Sequence, residues 1–164
     1  MRKWVGHANN VQRSAFNTTV AERMRELGWL VEKEIKLTQI LGRPLDRNYG
    51  DVDVLAWKPS TVRVLAMECK DVQYNKTLGQ VSEQLSDFLG VVRSDGKRDL
   101  LRKHLDRLEM LNANKSEVAK ALKISVPVQL EGHVVFRNLV PMRFAWERMA
   151  SKVRLSLFEE LDQI

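Results

Sequence analysis

The sequence has a single cysteine, Cys69, in 164 residues, so no internal disulfide and no cysteine-rich zinc site can form. Its three histidines, His7, His104 and His133, stand far apart and share no metal-ligand spacing. No apolar run reaches the roughly 18 residues of a membrane span. The opening Met1-Arg2-Lys3-Trp4-Val5-Gly6-His7 lacks the apolar stretch of a signal peptide. Internal repeats and low-complexity linkers are missing too. These absences point to a cytoplasmic protein without membrane contact. With 44% hydrophobic and 29% charged residues, the composition is globular rather than disordered or fibrous.

What is present is positive charge, unevenly spread. The net charge is +6. Residues 1–25 carry five basic groups against one acid, and residues 26–90 carry eight against ten. Residues 91–123 return to nine against five, residues 137–154 to five against one, and the last ten hold three acids and no base. A mildly acidic middle between basic flanks suits a carboxylate centre on a phosphate-binding surface, although an ordinary solvated surface has the same look.

Periodicity places the elements. Asn9-Asn10 caps a helix from about Val11 to Leu27, striped by Phe16, Val20, Met24 and Leu27 and ended by Gly28. Trp29 to Leu37 reads as an edge strand, and Thr38 to Gly50 as a loop. Asp51–Trp57 and Thr61–Lys70 form a hairpin turning at Lys58-Pro59-Ser60. Helices follow from about Thr77 to Val91, Lys97 to Leu111 (striped by Leu101, Leu105, Leu108 and Leu111) and Ser116 to Leu122. Val126–Leu130 and Gly132–Phe136 read as two strands paired through Glu131-Gly132, and Lys152–Leu161 as a helix. The order α-β-β-β-α-(α)-β predicts an α/β (α+β) fold with a central mixed sheet flanked by helices. One domain spans 1–164, with its core at about 10–91 plus 124–136 and helical, basic additions at about 97–123 and 142–164.

The most informative stretches are Gly50-Asp51-Val52-Asp53-Val54-Leu55-Ala56 and Met67-Glu68-Cys69-Lys70-Asp71. In a hairpin turning near residues 58–60, Asp53 lies level with Glu68, and the strand period of two puts Glu68 and Lys70 on one face. Asp53 and Glu68 supply hard oxygen ligands for Mg²⁺ or Mn²⁺, joined by a backbone carbonyl, that of Cys69, and by waters. Such a metal acidifies a water and offsets charge on a phosphodiester, while Lys70 orients that water or holds the phosphate. Arg43, Arg47, Lys76, Arg98, Arg102 and Lys103 are candidates for gripping backbone phosphates.

Asp53-Val54-Leu55-Ala56 and Glu68-Cys69-Lys70, joined by a hairpin after a helix and a strand, resemble the PD-(D/E)xK nuclease superfamily. That superfamily includes many restriction endonucleases and the archaeal Holliday-junction resolvases. The resemblance covers about residues 10–91 and implies a restriction-endonuclease-like core. It implies metal ligation by Asp53 and Glu68, a catalytic lysine in Lys70, and a helper glutamine in the following helix, Gln84 or Gln80. Val52 stands where the superfamily name has proline. The glutamate that many members place in the first helix has no counterpart, because Glu22 points to solvent and Asn17 is no carboxylate.

The expected function is therefore a metal-dependent DNA endonuclease acting on duplex or branched DNA, as a homodimer or within a larger complex. Two rivals stand beside it. One is a non-cleaving nucleic-acid-binding module of a defence, repair or recombination assembly. The other is a protein-interaction domain whose carboxylates form a cross-strand salt bridge. Asp51 reads as a turn residue before a second ligand. Cys69 reads as core, Trp29 and Trp57 as packing, and His133 as structural. His104 reads as part of a solvated helical face, with phosphate contact as the alternative.

Overall fold

Alternating apolar residues build a five-stranded mixed sheet, and amphipathic helices cover both of its faces. The computed structural model describes residues 2–72, 77–125, 127–144, 146 and 153–164, with side chains from Val11 onward. In chain order the elements are α1 (Arg2–Glu26), β1 (Leu30–Lys36), α2 (Leu37–Leu41), β2 (Asp51–Lys58) and β3 (Arg63–Lys70). After these come α3 (Leu78–Ser86), α4 (Leu100–Ala113), α5 (Lys115–Leu122), β4 (Gln129–Phe136) and β5 (Arg154–Leu157). The strands lie in the order β1-β2-β3-β4-β5. The first three are antiparallel neighbours, whereas β3, β4 and β5 run parallel. This is an α+β fold with a restriction-endonuclease-like order of elements.

Helix α1 buries Phe16, Val20, Ala21 and Met24, one stripe at helical spacing, against Val54, Ala56, Leu65, Met67 and Cys69 of the sheet. Each large side chain so buried stabilises the fold by about 1.5–3 kcal/mol. The helix stops at Gly28, whose φ of 80° is open to glycine at little cost. There the Gly28 and Trp29 amides donate to the Arg25 and Met24 carbonyls at 2.9 and 3.0 Å. The opposite sheet face packs Leu55, Val64, Ala66, Val134 and Phe136 against α2, α4 and α5.

Several sequence expectations are corrected. The segment expected as a loop from Thr38 begins within α2, because Leu37, Ile40 and Leu41 bury together. Residues 129–136 form one continuous strand rather than a pair turning at Glu131-Gly132. Gly132 is needed there for close packing, since a Cβ would lie 2.3 Å from Leu108 Cδ1. The C-terminal helix is instead strand β5 followed by a 3-10 helix, Phe158–Gln163. Parallel pairing of Leu155 with Val134 and Leu157 with Phe136 wins over local helical propensity. Helix α3 ends at Ser86, short of Val91, and α4 starts at Leu100, capped by the Asp99 carboxylate accepting from the Arg102 amide at 2.7 Å.

Candidate active site where two strands part

Strands β2 and β3 pair as far as Val54 opposite Met67, a register that sets Asp53 level with Glu68. At Asp53 the ladder ends and a side chain takes over. Asp53 Oδ2 accepts from the Cys69 main-chain N–H at 2.9 Å. The pairing with β1 is also interrupted here, between Lys33–Val54 and Ile35–Val52. Glu34, the residue skipped, has a φ of 54°, in the left-handed region that non-glycine residues enter at a cost. Two residues apart on one strand, Val52 and Val54 nonetheless belong to opposite cores, so β2 turns over at Asp53. Asn17 of α1 is buried and donates to Glu34 Oε1 at 3.2 Å, fastening the irregular strand to the helix.

Both carboxylates are buried, and cations reach them from opposite faces of the sheet. Arg13 of α1 donates to Asp53 Oδ1 at 2.7 Å. Lys70 Nζ donates to Glu68 Oε1 at 2.6 Å, and Arg107 of α4 donates to Glu68 Oε2. Burial raises the Glu68 carboxyl, but the Lys70 and Arg107 charges prevail and hold it at about 2. At Asp53 burial and then the Glu68 charge push the carboxyl up, against Lys70 and Arg13. His104 lies buried beside this cluster, and burial brings its imidazole down to about 3. Among the described residues, no three His, Cys, Asp or Glu side chains gather as a metal cage.

Arg13, Glu68, Lys70 and Arg107 line a cleft of about 690 Å³, whereas Asp53 is fully buried and does not line it. Arg13, Arg47, Lys70, Arg93, Lys97, Arg98, Lys103 and Arg107 line it with Asp51, Glu68, Asp87 and Asp99, eight cations against four carboxylates. Of the phosphate-gripping candidates, Arg47, Arg98 and Lys103 line this cleft. Arg47 and Arg98 also bind Asp106, at 2.7 and 2.6 Å, so the loop before β2 and the α4 approach are tied to one buried carboxylate. Arg102 spends its guanidinium on Asp106 and Glu109 and does not line the cleft; Arg43 donates to Asn114 and does not either. Lys76 lies outside the described residues. Gln84 is buried in an adjoining cleft that contains neither Glu68 nor Lys70. Asp51 opens β2 opposite Lys36 rather than closing the turn before it. The Cys69 side chain is core, its thiol pushed up by burial, and Glu22 is exposed.

Sequence reasoning missed Arg13, Arg107 and the burial of His104, which it assigned to solvent. The signal was present. Arg13 stands three residues before Phe16 and seven before Val20, which continues the buried stripe of α1. His104, Arg107, Leu108 and Leu111 repeat the same spacing on α4 and are all buried. A charged group on a buried helical stripe is a group with a partner across the interface.

Fold and site together define an α+β protein with a restriction-endonuclease-like core and two buried, cation-capped carboxylates where adjacent strands separate. The chain belongs to the anti-phage protein Upx-like family, whose model matches residues 1–160. No curated protein matches it. No helix among the described residues is long and apolar enough to cross a membrane.

Proposed function

We propose that this protein is a nuclease domain of anti-phage defence, hydrolysing phosphodiester bonds of DNA with Mg²⁺ or Mn²⁺. The observation that carries the reading is Asp53 level with Glu68 on adjacent strands, with Glu68 and Lys70 lining a cleft rich in cations. Family membership supports the defence role.

The donor set suits a hard divalent ion. Asp53 and Glu68 would hold it through carboxylate oxygens on adjacent strands, with the Cys69 carbonyl as a further oxygen donor. Of the three cations on these carboxylates, Lys70 and Arg107 are 13% and 7% exposed, whereas Arg13 is 47% exposed and free to exchange towards solvent. A bound metal supplies an acidified water and offsets charge on the phosphate. Lys70, held by Glu68, orients that water or holds the scissile phosphate as a point charge. Arg107 fixes Glu68 from the α4 side, and Arg47, Arg98 and Lys103 bind flanking phosphates. A second reading, a module that binds nucleic acid without cutting it, draws on one observation: all four oxygens of Asp53 and Glu68 already accept a hydrogen bond within the protein.

Incubation of supercoiled plasmid and branched DNA at low salt with Mg²⁺, Mn²⁺ or EDTA separates the two. Nicking that requires metal and disappears in Lys70→Ala and Asp53→Ala is the expected result. Absence of cutting, together with absence of metal binding by calorimetry, would leave the non-cleaving module. In that case DNA affinity still weakens steeply as salt rises.

A further inference from the structure

Beside the cation-lined cleft lies a second one, of about 510 Å³, within the size range of ligand pockets. The two share Arg13, Asp87 and Leu100, so they are halves of one continuous surface. Their chemistry differs. The second cleft has Arg13 as its single cation among the described residues, with carboxylates at Asp71, Glu83 and Asp87. Asp71 pairs with Arg137 at 2.9 Å and Asp87 with Arg93 at 2.5 Å. The first half is therefore the more favourable for a phosphate. Val72, Phe88 and Leu100 give the second half apolar walls, and Gln84 lines it too. Gln84 is 9% exposed, and among the described residues its Oε1 is a buried acceptor without a hydrogen-bond partner. A buried acceptor left unmade costs about 1–3 kcal/mol, which a ligand donor recovers.

We infer that this second cleft binds an unpaired nucleobase carrying an exocyclic amino group, adenine or cytosine, from a strand whose phosphates lie in the cation-lined cleft, with Gln84 Oε1 accepting from that amino group. The inference deepens the proposed function and rests on its nucleic-acid substrate, though not on cleavage. A neutral ring with polar edges matches apolar walls, an amide and carboxylates, whereas a phosphate matches none of these. Glutamine reads adenine, and acids accept from the cytosine amino group, for the same donor–acceptor reason. The base must be unpaired, because an amide nine-tenths buried is beyond the reach of a base held in a stacked duplex.

Fluorescence anisotropy with labelled dA12, dC12 and dT12, at low salt in EDTA, tests this without requiring any cutting. Wild type is expected to bind dA12 and dC12 about fivefold more tightly than dT12, the value of one hydrogen bond to a buried group. Gln84→Met, of similar length but with no amide, is expected to bring all three to the dT12 value. Gln84→Glu keeps an acceptor and is expected to keep the ratio while weakening all three. Equal wild-type affinities, a preference that survives in Gln84→Met, or no binding of any oligonucleotide overturns the inference. A Gln84-dependent preference in a protein that never nicks DNA overturns the nuclease reading alone. Metal-dependent nicking without base preference overturns this inference alone.

Discussion

Burial and the neighbouring Glu68 charge both raise the Asp53 carboxyl, so at neutral pH its ionised form is disfavoured in the folded protein relative to the unfolded chain. A carboxyl whose folded value is raised gives its full stability below the unfolded value and loses it as pH climbs through the folded one. Asp53→Asn removes the charge and keeps an oxygen to accept from the Cys69 amide. We expect this variant to be more stable at pH 7, read as a rise in melting temperature, with metal binding by calorimetry abolished. A residue kept for structure alone would show the opposite, a loss of stability on substitution. Arg107 sits on the other side of this balance. It is 7% exposed, its Nε has no partner among the described residues, and its guanidinium is one of two charges holding Glu68 ionised. Arg107→Met leaves Glu68 with Lys70 alone, and removing one member of a buried pair costs about 3 kcal/mol. Urea unfolding at pH 7 measures it, and a change under 1 kcal/mol would show that the pair is not formed in solution.

At the scale of elements, the site depends on how closely α4 approaches the sheet. A Cβ on Gly132 of β4 would lie 2.3, 3.2 and 3.3 Å from Leu108 Cδ1, Cδ2 and Cγ, so the whole Leu108 side chain would have to move. Gly132→Ala is expected to cost about 1–3 kcal/mol by overpacking, and Leu108→Ala about 2–5 kcal/mol by cavity formation. Each supplies what the other lacks, so the double variant is expected to cost clearly less than the sum of the two. Strict additivity in urea midpoints would mean that the two positions do not touch. The same contact explains where the sequence misled. Glu131-Gly132 has the composition of a hairpin turn, but the glycine answers to Leu108 of α4, more than 20 residues earlier in the chain. The β2–β3 hairpin was legible because its turn, alternation and charged ends are all local. Strand β5 was not, since Arg154–Leu157 is fixed by parallel pairing with β4, which no local pattern reports.

Over the whole molecule the same division holds for the site. Asp53, Glu68 and Lys70 lie on one hairpin and were readable from it, whereas Arg13 and Arg107 arrive from 40 and 39 residues away in sequence. Distant partners of this kind make the fold sensitive to acid as a unit. His104 and His133 are buried, and burial lowers them from 6.5 to about 3 and about 4. Around His104 stand Glu68, Arg107 and Lys70, and around His133 stand Glu131, Arg154 and Arg63. A histidine held neutral in the fold takes up its proton only on unfolding once pH falls below 6.5. Each therefore removes about 1.4 kcal/mol of stability per pH unit from there down to its folded value. Glu68 adds to the loss below its ordinary value of 4.5, since its folded value is about 2. Asp53 opposes the trend, regaining stability as pH falls through its raised value. We expect urea-unfolding stability to be level from pH 8 to 7 and to drop from 6.5 towards 5, before carboxylates contribute. His104→Gln and His133→Gln, neutral at every pH, are each expected to remove about half of that slope. A wild-type curve that stays flat to pH 5 would mean that these imidazoles meet water, and that the α4–β4 interface around Glu68 is open in solution.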